Sequence, residues 1–69
     1  MFKYEFIYKV RPYPHAHSYK VKYRCVVEEA RFDLQKSMYE KVAANHKEED
    51  PIILINKLDE NGEFIETIQ

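Results

Sequence analysis

Hydrophobic and polar residues alternate along the first 27 residues in two stretches that predict amphipathic strands. The first stretch contains Phe2, Tyr4, Phe6, Tyr8 and Val10, and the second contains Tyr19, Val21, Tyr23, Cys25 and Val27. A period of two places all of these residues on one face of a β-hairpin. Pro12 and Pro14 lie between the two strands and cannot donate to a strand ladder. We therefore expect an exposed loop over residues 12–18 rather than a tight turn.

After the second strand, the hydrophobic period becomes that of a helix. The apolar residues recur in two rows, Leu34, Met38 and Val42 in one, and Phe32, Tyr39 and Ala43 in the other. The four-residue spacing of the first row is that of the apolar face of an amphipathic helix, and the second row makes this face unusually wide. Asp33 is the predicted N-cap, because its carboxylate can accept hydrogen bonds from the first turn. We expect a helix over residues 33–47, ended by an acidic run and by Pro51, which favours an extended Asp50.

The last third of the chain predicts a second hairpin, over residues 52–68. Its turn is marked by Asn61-Gly62, a dipeptide typical of β-hairpins. We prefer a type I turn with Gly62 in the left-handed position to a two-residue turn, although the register stays open. The preferred turn puts four apolar residues on one face: Leu54, Leu58, Phe64 and Ile68. Residues 52–55 are apolar on both faces, so one of these faces meets either the core or another chain.

The order strand, strand, helix, strand, strand predicts a single domain of the α+β class over residues 1–69. Its parts are an N-terminal hairpin (1–27), a helix (33–47) and a C-terminal hairpin (52–68). We expect a ββαββ two-layer sandwich, in which one helix packs on one face of a four-stranded antiparallel sheet. The order of the strands across the sheet does not follow from the sequence. A single core of this size is marginal, which favours additional burial in a homodimer.

The net charge of −1 conceals an asymmetry between the two parts of the chain. Residues 1–27 have six basic side chains and one acidic side chain, whereas residues 28–69 have five basic and eleven acidic. Because the basic residues of the N-terminal hairpin alternate with apolar ones, we expect them to form a basic exposed face, Lys3 included. The predicted partner-binding residues lie on this face and in the loop: Lys9, Arg11, Tyr13, His15, His17, Lys20, Lys22 and Arg24.

Two kinds of macromolecule fit a basic face of this kind. An acidic protein surface, including the acidic half of another copy, is favoured by the two-ended charge. Nucleic acid is the alternative, since the lysines and arginines could contact several phosphates and Tyr13 could stack on a base. A small anionic ligand held between subunits is a third alternative that the sequence does not separate from the first.

The C-terminal hairpin is the second candidate surface. Its apolar strands suggest an edge or face that another chain covers, and the predicted self-association residues are Ile53, Ile55, Ile65 and Ile68. No stretch approaches the roughly 20 apolar residues of a membrane span, and the first residues lack the apolar run of a signal peptide. We therefore expect a cytoplasmic protein without a membrane partner.

Residues that could carry catalysis do not form a known arrangement. Cys25, Ser18, Ser37 and Thr67 fall in no nucleophile spacing with a histidine and an acid. The one glycine cannot build a phosphate loop. His15 and His17 form a His-x-His pair, which needs a third ligand to hold a metal ion. We predict no enzyme activity, no cofactor and no metal.

In size and in its Lys-, Glu-, Tyr- and Ile-rich composition, the chain is similar to the small proteins that phages make to bind and block host or defence proteins. This likeness of class implies an inhibitor or an adaptor. We expect a small non-enzymatic protein-binding module that forms a homodimer. The alternative is a nucleic-acid-binding protein that uses the basic face of the N-terminal hairpin.

Overall fold

The computed structural model describes all 69 residues, Met1–Gln69. Its elements are β1 (Lys3–Val10), β2 (Lys20–Glu28), α1 (Phe32–Asn45), β3 (Ile52–Leu58) and β4 (Phe64–Thr67). One-turn 3-10 helices, Glu29–Arg31 and Lys47–Glu49, precede and follow α1. The predicted α+β class with four antiparallel strands and one helix is confirmed.

The strands form one open antiparallel sheet in the order β2-β1-β3-β4. The two hairpins are therefore joined by the pairing of β1 with β3, in which Phe6 lies opposite Ile55. This pairing makes β1 and β3 the inner strands and leaves β2 and β4 at the edges. Ile53 and Ile55 of β3 belong to the core or pack against it, whereas Ile52 and Leu54 lie on the other face of the sheet.

The helix covers one face of the sheet, called the helix face below. The buried cluster on this face consists of Phe6, Tyr8, Val10, Tyr39 and Ile55. The ring of Tyr39 meets those of Phe6 and Tyr8 edge-on, with centroids 5.5 and 6.0 Å apart. Such contacts add to the stabilisation that the burial of the rings provides. The aromatic side of the N-terminal hairpin thus forms the surface on which the helix packs.

The helix packs through the row of Phe32, Tyr39 and Ala43 and through only one residue, Val42, of the row with four-residue spacing. Leu34 and Met38 are 59% and 52% exposed, whereas Tyr39 is buried. Phe32, Val42 and Ala43 also pack against the core. The prediction that Leu34 and Met38 face the sheet is therefore wrong. The aromatic row packs instead because rings bury more apolar area per residue and match the rings of β1.

Both ends of the helix differ from the prediction. The helix begins at Phe32 without a side-chain cap, so Asp33 lies in its first turn rather than at the N-cap. It ends at Asn45, and Asp50 is left-handed, with φ 50° and ψ 56°, rather than extended. Aspartate tolerates this conformation better than most residues. Its carboxylate is also held by Arg11, which supports the strained backbone.

A bulge in β2 reverses part of its alternation. Tyr8 lies opposite Tyr23 but Lys9 lies opposite Val21, so Lys22 is an extra residue without a counterpart in β1. Val21 therefore shares the side of Lys9, away from the helix, and Lys20 lies opposite Val10 on the helix face. The predicted positions of Val21 and Lys20 are wrong, because a strict period of two does not register an inserted residue.

The turn of the C-terminal hairpin has the predicted glycine conformation. Gly62 has a φ of 85°, in the left-handed region that glycine adopts without a steric penalty. The Asp59 carboxylate accepts hydrogen bonds from the amides of Asn61 and Glu63, each at 2.9 Å. Leu58 lies opposite Phe64 across the hairpin, so these two residues share a face as predicted. The predicted position of Ile68 on that face is wrong, because a bulge at Ile65 places Ile68 opposite Ile55, on the other face.

Candidate protein-binding surfaces

The face of the sheet opposite the helix, called the open face below, has no covering element. Its residues in β1 are Lys3, Glu5, Ile7 and Lys9. Their neighbours are Glu28, Val26, Arg24 and Val21 in β2, and Leu58, Asn56, Leu54 and Ile52 in β3. Thr67 and Phe64 extend two of these rows into β4. The open face therefore consists of four cross-strand rows that mix apolar and charged side chains.

Apolar side chains of the open face remain in contact with solvent. Val21, Val26 and Ile52 are 48%, 44% and 37% exposed. Ile7 and Leu54 lie side by side at the centre of the face and are half-buried. Complete burial of an aliphatic side chain is worth roughly 1.5–3 kcal/mol, of which these positions have gained only a part. The two-sided apolar run of β3 predicts part of this surface, but the contributions of Ile7, Val21 and Val26 follow only from the strand register.

One row of the open face, formed by Glu5, Asn56 and Thr67, is a chain of polar contacts that Arg24 joins from the neighbouring row. The Glu5 carboxylate accepts a hydrogen bond from the Asn56 amide at 2.9 Å and forms an ion pair with Arg24. Asn56 in turn accepts a hydrogen bond from the Thr67 hydroxyl at 2.8 Å. The hydrogen bond from Asn56 is the main cause that lowers the pKa of Glu5, and Arg24 adds to it against the opposing effect of burial. The charges in this row are thus satisfied within the chain.

The N-terminal loop, residues 12–18, joins β1 to β2 and is fastened at its base. Arg11 Nε lies 2.8 Å from Oδ2 of Asp50, and the Tyr19 hydroxyl donates to the same oxygen at 2.9 Å. Arg11 Nη1 donates to the carbonyl of Ala16 at 3.4 Å, and Ala16 itself is buried. The loop is therefore held both at its ends and at one internal residue.

The tip of the loop presents a tyrosine and two histidines to solvent. Tyr13 is 62% exposed, and its carbonyl accepts a hydrogen bond from the Ala16 amide at 3.0 Å. His15 and His17 are exposed beside it. A tyrosine on a fixed turn offers a large contact area at a low cost in conformational entropy. These three predicted binding residues are therefore brought together on one fastened segment.

Three of the six basic residues of the predicted basic face are bound to acidic residues of the same chain. The pairs are Arg24 with Glu5, Lys22 with Glu49, and Arg11 with Asp50. Lys3, Lys9 and Lys20 form no ion pair, and of these only Lys3 and Lys9 lie on the open face. The prediction that all six residues line one basic face is therefore wrong. The acidic segment after the helix folds back and neutralises part of the basic hairpin.

Two of the four predicted self-association residues belong to the core. Ile55 is 1% exposed, and Ile53 packs against the same buried cluster. The prediction for these two residues is wrong, because the odd-numbered residues of the inner strand β3 face the helix. Ile52 is exposed in their place. Ile65 and Ile68 are exposed near the β4 edge, so their predicted role is compatible with where they lie.

The structure has no concave pocket. One group of side chains could share a metal ion, since ligand atoms of His46, Glu48 and Glu49 lie within 4.8 Å of one another. Lys22 Nζ already donates to both carboxylate oxygens of Glu49, at 2.9 and 3.0 Å, and a cation would have to displace it. His15 and His17 belong to no such group.

Comparison of the chain with protein-family models, with curated proteins and with solved structures found no match. The helix and the two 3-10 turns are too short or too polar to cross a membrane.

Proposed function

We propose that this chain is a small non-enzymatic protein-binding module that blocks or bridges a site on another protein through its N-terminal loop. The observation that carries this proposal is the fastening of residues 12–18 by Arg11, Tyr19 and Asp50, which holds the exposed Tyr13 on a defined turn. An inhibitor or an adaptor is the role that fits a domain of this size. The expectation of a cytoplasmic protein stays a prediction.

The fastened loop favours binding because most of its order exists before a partner arrives. Pro12 and Pro14 restrict the backbone of the loop, and the contacts of Ala16 hold its middle. Ordering of a flexible loop opposes association, so a loop of this kind loses less free energy on binding. Tyrosine is also enriched among the residues that contribute most to protein interfaces.

The partner expected from the surroundings of the loop is an acidic protein surface. Lys9 and Lys20 lie at the two strand ends that flank the loop, and neither forms an ion pair within the chain. A partner with carboxylates around a cleft for Tyr13 would complement them. Nucleic acid is supported less well, because Arg11, Lys22 and Arg24 are engaged within the chain.

Affinity capture from a lysate of the source organism, with quantitative mass spectrometry, tests the proposal. Wild type, Tyr13→Ala and Lys20→Glu are immobilised in parallel, and Met38→Ala serves as a control because Met38 is exposed on the far side of the helix. We expect a protein retained stoichiometrically by wild type and Met38→Ala, depleted at least tenfold with Tyr13→Ala and weakened with Lys20→Glu.

Two results would overturn the proposal for the loop. One is the absence of any such protein, and the other is equal recovery with wild type and Tyr13→Ala. Retention of DNA or RNA in place of a protein, released by moderate salt and lost with Lys9→Glu, would assign the surface to nucleic acid instead.

A further inference from the structure

We propose that the open face is covered by the open face of a second copy of this chain, in a two-fold symmetric homodimer with both helices outside. The inference goes beyond the proposed function, because it concerns a different surface and does not require the N-terminal loop. It rests on the exposed apolar residues of the face, its satisfied polar row and the symmetry of its residue pattern.

The chain exposes more surface than is typical of a monomer of its mass. The chain exposes 5013 Å², whereas a typical folded monomer of 8.4 kDa exposes about 4,600 Å². The four strands contain eight, nine, seven and four residues. At the average length of seven residues the sheet covers roughly 19 by 23 Å, or about 440 Å². The excess exposure is therefore comparable to the footprint of one uncovered sheet face. Pairing two such faces buries on the order of 1,000 Å², near the lower limit for a specific interface.

The polar row of the open face can be buried without leaving Glu5 or Arg24 unpaired. Glu5 is already bound by Arg24 and Asn56, and Thr67 completes the row. A buried polar network stabilises an interface only when each of its members has a partner. Here the partners are present before a second copy arrives.

The open face is self-complementary under two-fold symmetry. A two-fold axis parallel to the strands, between β1 and β3, places β1 of one copy over β3 of the other. Ile7 then meets Leu54 of the second copy, because the two residues lie in the same cross-strand row. The central contact is apolar and occurs twice. The sheets pack about 10 Å apart, the distance that interdigitating aliphatic side chains fill.

The same axis keeps the unpaired lysines away from one another. Lys9 meets Ile52 of the second copy and Lys3 meets Leu58, since these residues also share rows. Both lysines lie at opposite ends of β1, where the aliphatic stem can cover apolar surface while the ammonium stays in water. The result is an apolar centre with a charged rim, the usual anatomy of an interface.

Another arrangement of two copies would use the exposed helix residues Leu34 and Met38 against the open face. Such a contact joins two different surfaces, so it does not close and would generate longer assemblies. The self-complementary pairing of two open faces stops at the dimer. The size of the assembly therefore distinguishes the two arrangements.

Sedimentation velocity across roughly 1 µM to 1 mM tests the proposal, with three proteins compared. Wild type and the control Leu34→Glu, which places the same charge on the outer side of the helix, should pass from monomer to dimer with rising concentration. Leu54→Glu should stay monomeric, since a carboxylate at the centre of the dimer would be buried twice without a partner. Circular dichroism establishes that each variant is folded.

A second measurement keeps the test independent of the folding of Leu54→Glu. Amide chemical shifts of wild type should change on dilution in the strands of the open face, at Ile7, Val26 and Ile52, and not in the helix. A wild type that is monomeric throughout, assemblies larger than a dimer, or shifts confined to the helix would overturn the proposal. Tyr13→Ala should dimerise like wild type, because Tyr13 lies outside the open face. A failure of the loop proposal is therefore distinguishable from a failure of the dimer proposal.

Discussion

The helix face and the open face are built on the same strands but from different kinds of side chain. On the helix face, β1 presents the rings of Phe6 and Tyr8, which are completely buried. On the open face, the same strand presents Ile7 between two charged residues, and one of these, Glu5, has its partners within the sheet. The fold is thus stabilised mainly from one side, while the other side stays available for a second macromolecule.

The two faces should differ most in the free energy of unfolding that is lost when a side chain is truncated to alanine. Phe6→Ala should lower the free energy of unfolding by about 3–5 kcal/mol, because Phe6 is 0% exposed at the centre of the core. Ile7→Ala should cost only about 1 kcal/mol in the monomer, since Ile7 is half-buried. Urea denaturation at low protein concentration measures both. Equal costs would mean that the open face contributes to the core as much as the helix face does.

The polar row sharpens the comparison through its dependence on pH. The pKa of Glu5 lies below its ordinary value of 4.5 in the folded chain. The unfolded chain therefore binds this proton more tightly, so the stabilisation from Glu5 is present above pH 4.5 and is lost as the pH falls through the lowered value. Glu5→Gln should lower the free energy of unfolding by about 1 kcal/mol at neutral pH.

The same variant should lose less stability than wild type when the pH is lowered below 4.5. Denaturant titrations at neutral and acidic pH provide the comparison, and Glu63→Gln, in the exposed turn, is a matched control. A Glu5→Gln chain that loses as much stability on acidification as wild type would contradict the role of the polar row.

The smallest expected effect concerns two hydroxyls of the helix face. The Tyr8 hydroxyl is buried without a hydrogen-bond partner, and burial raises the pKa of Tyr8. Tyr8→Phe should therefore leave stability unchanged or raise it by up to about 1 kcal/mol, since a buried donor without a partner is unfavourable. Tyr39 donates to Cys25 Sγ at 3.4 Å, so Tyr39→Phe should lower stability by about 0.5 kcal/mol. Thermal unfolding of both variants measures these changes. A Tyr8→Phe variant less stable than Tyr39→Phe would indicate that the Tyr8 hydroxyl has a hydrogen-bond partner in solution.

Local patterns predicted the elements of the fold because the causes lie within a few residues. Alternation in residues 2–10 marked β1, and Asn61-Gly62 marked the last turn, which Gly62 closes in the left-handed conformation. The strand order was beyond such patterns, since it depends on the pairing of β1 with a strand about 50 residues later. The bulge at Lys22 was also beyond such patterns. One inserted residue moves the side chains beyond it to the opposite faces of the strand without changing the composition.

The candidate binding surfaces follow from the sequence only in part, for a similar reason. The loop with Tyr13 was recognisable from its prolines, which act locally. The ion pair of Lys22 with Glu49 joins residues 27 positions apart, so charge counting along the chain treated both as free. Alternation predicts Val21 on the apolar face of the N-terminal hairpin, whereas the register places it on the open face with Ile7.

The anchorage of the loop has a consequence for how this chain could change. The contacts that hold residues 12–18 use Arg11, the buried Ala16, Tyr19 and Asp50, and none of them involves the side chain of Tyr13, His15 or His17. The side chains at the tip could therefore be replaced while the contacts that hold the loop stay the same. Other short sequences placed between these anchors would be displayed in the same position, and the domain would serve as a scaffold whose specificity varies without its architecture.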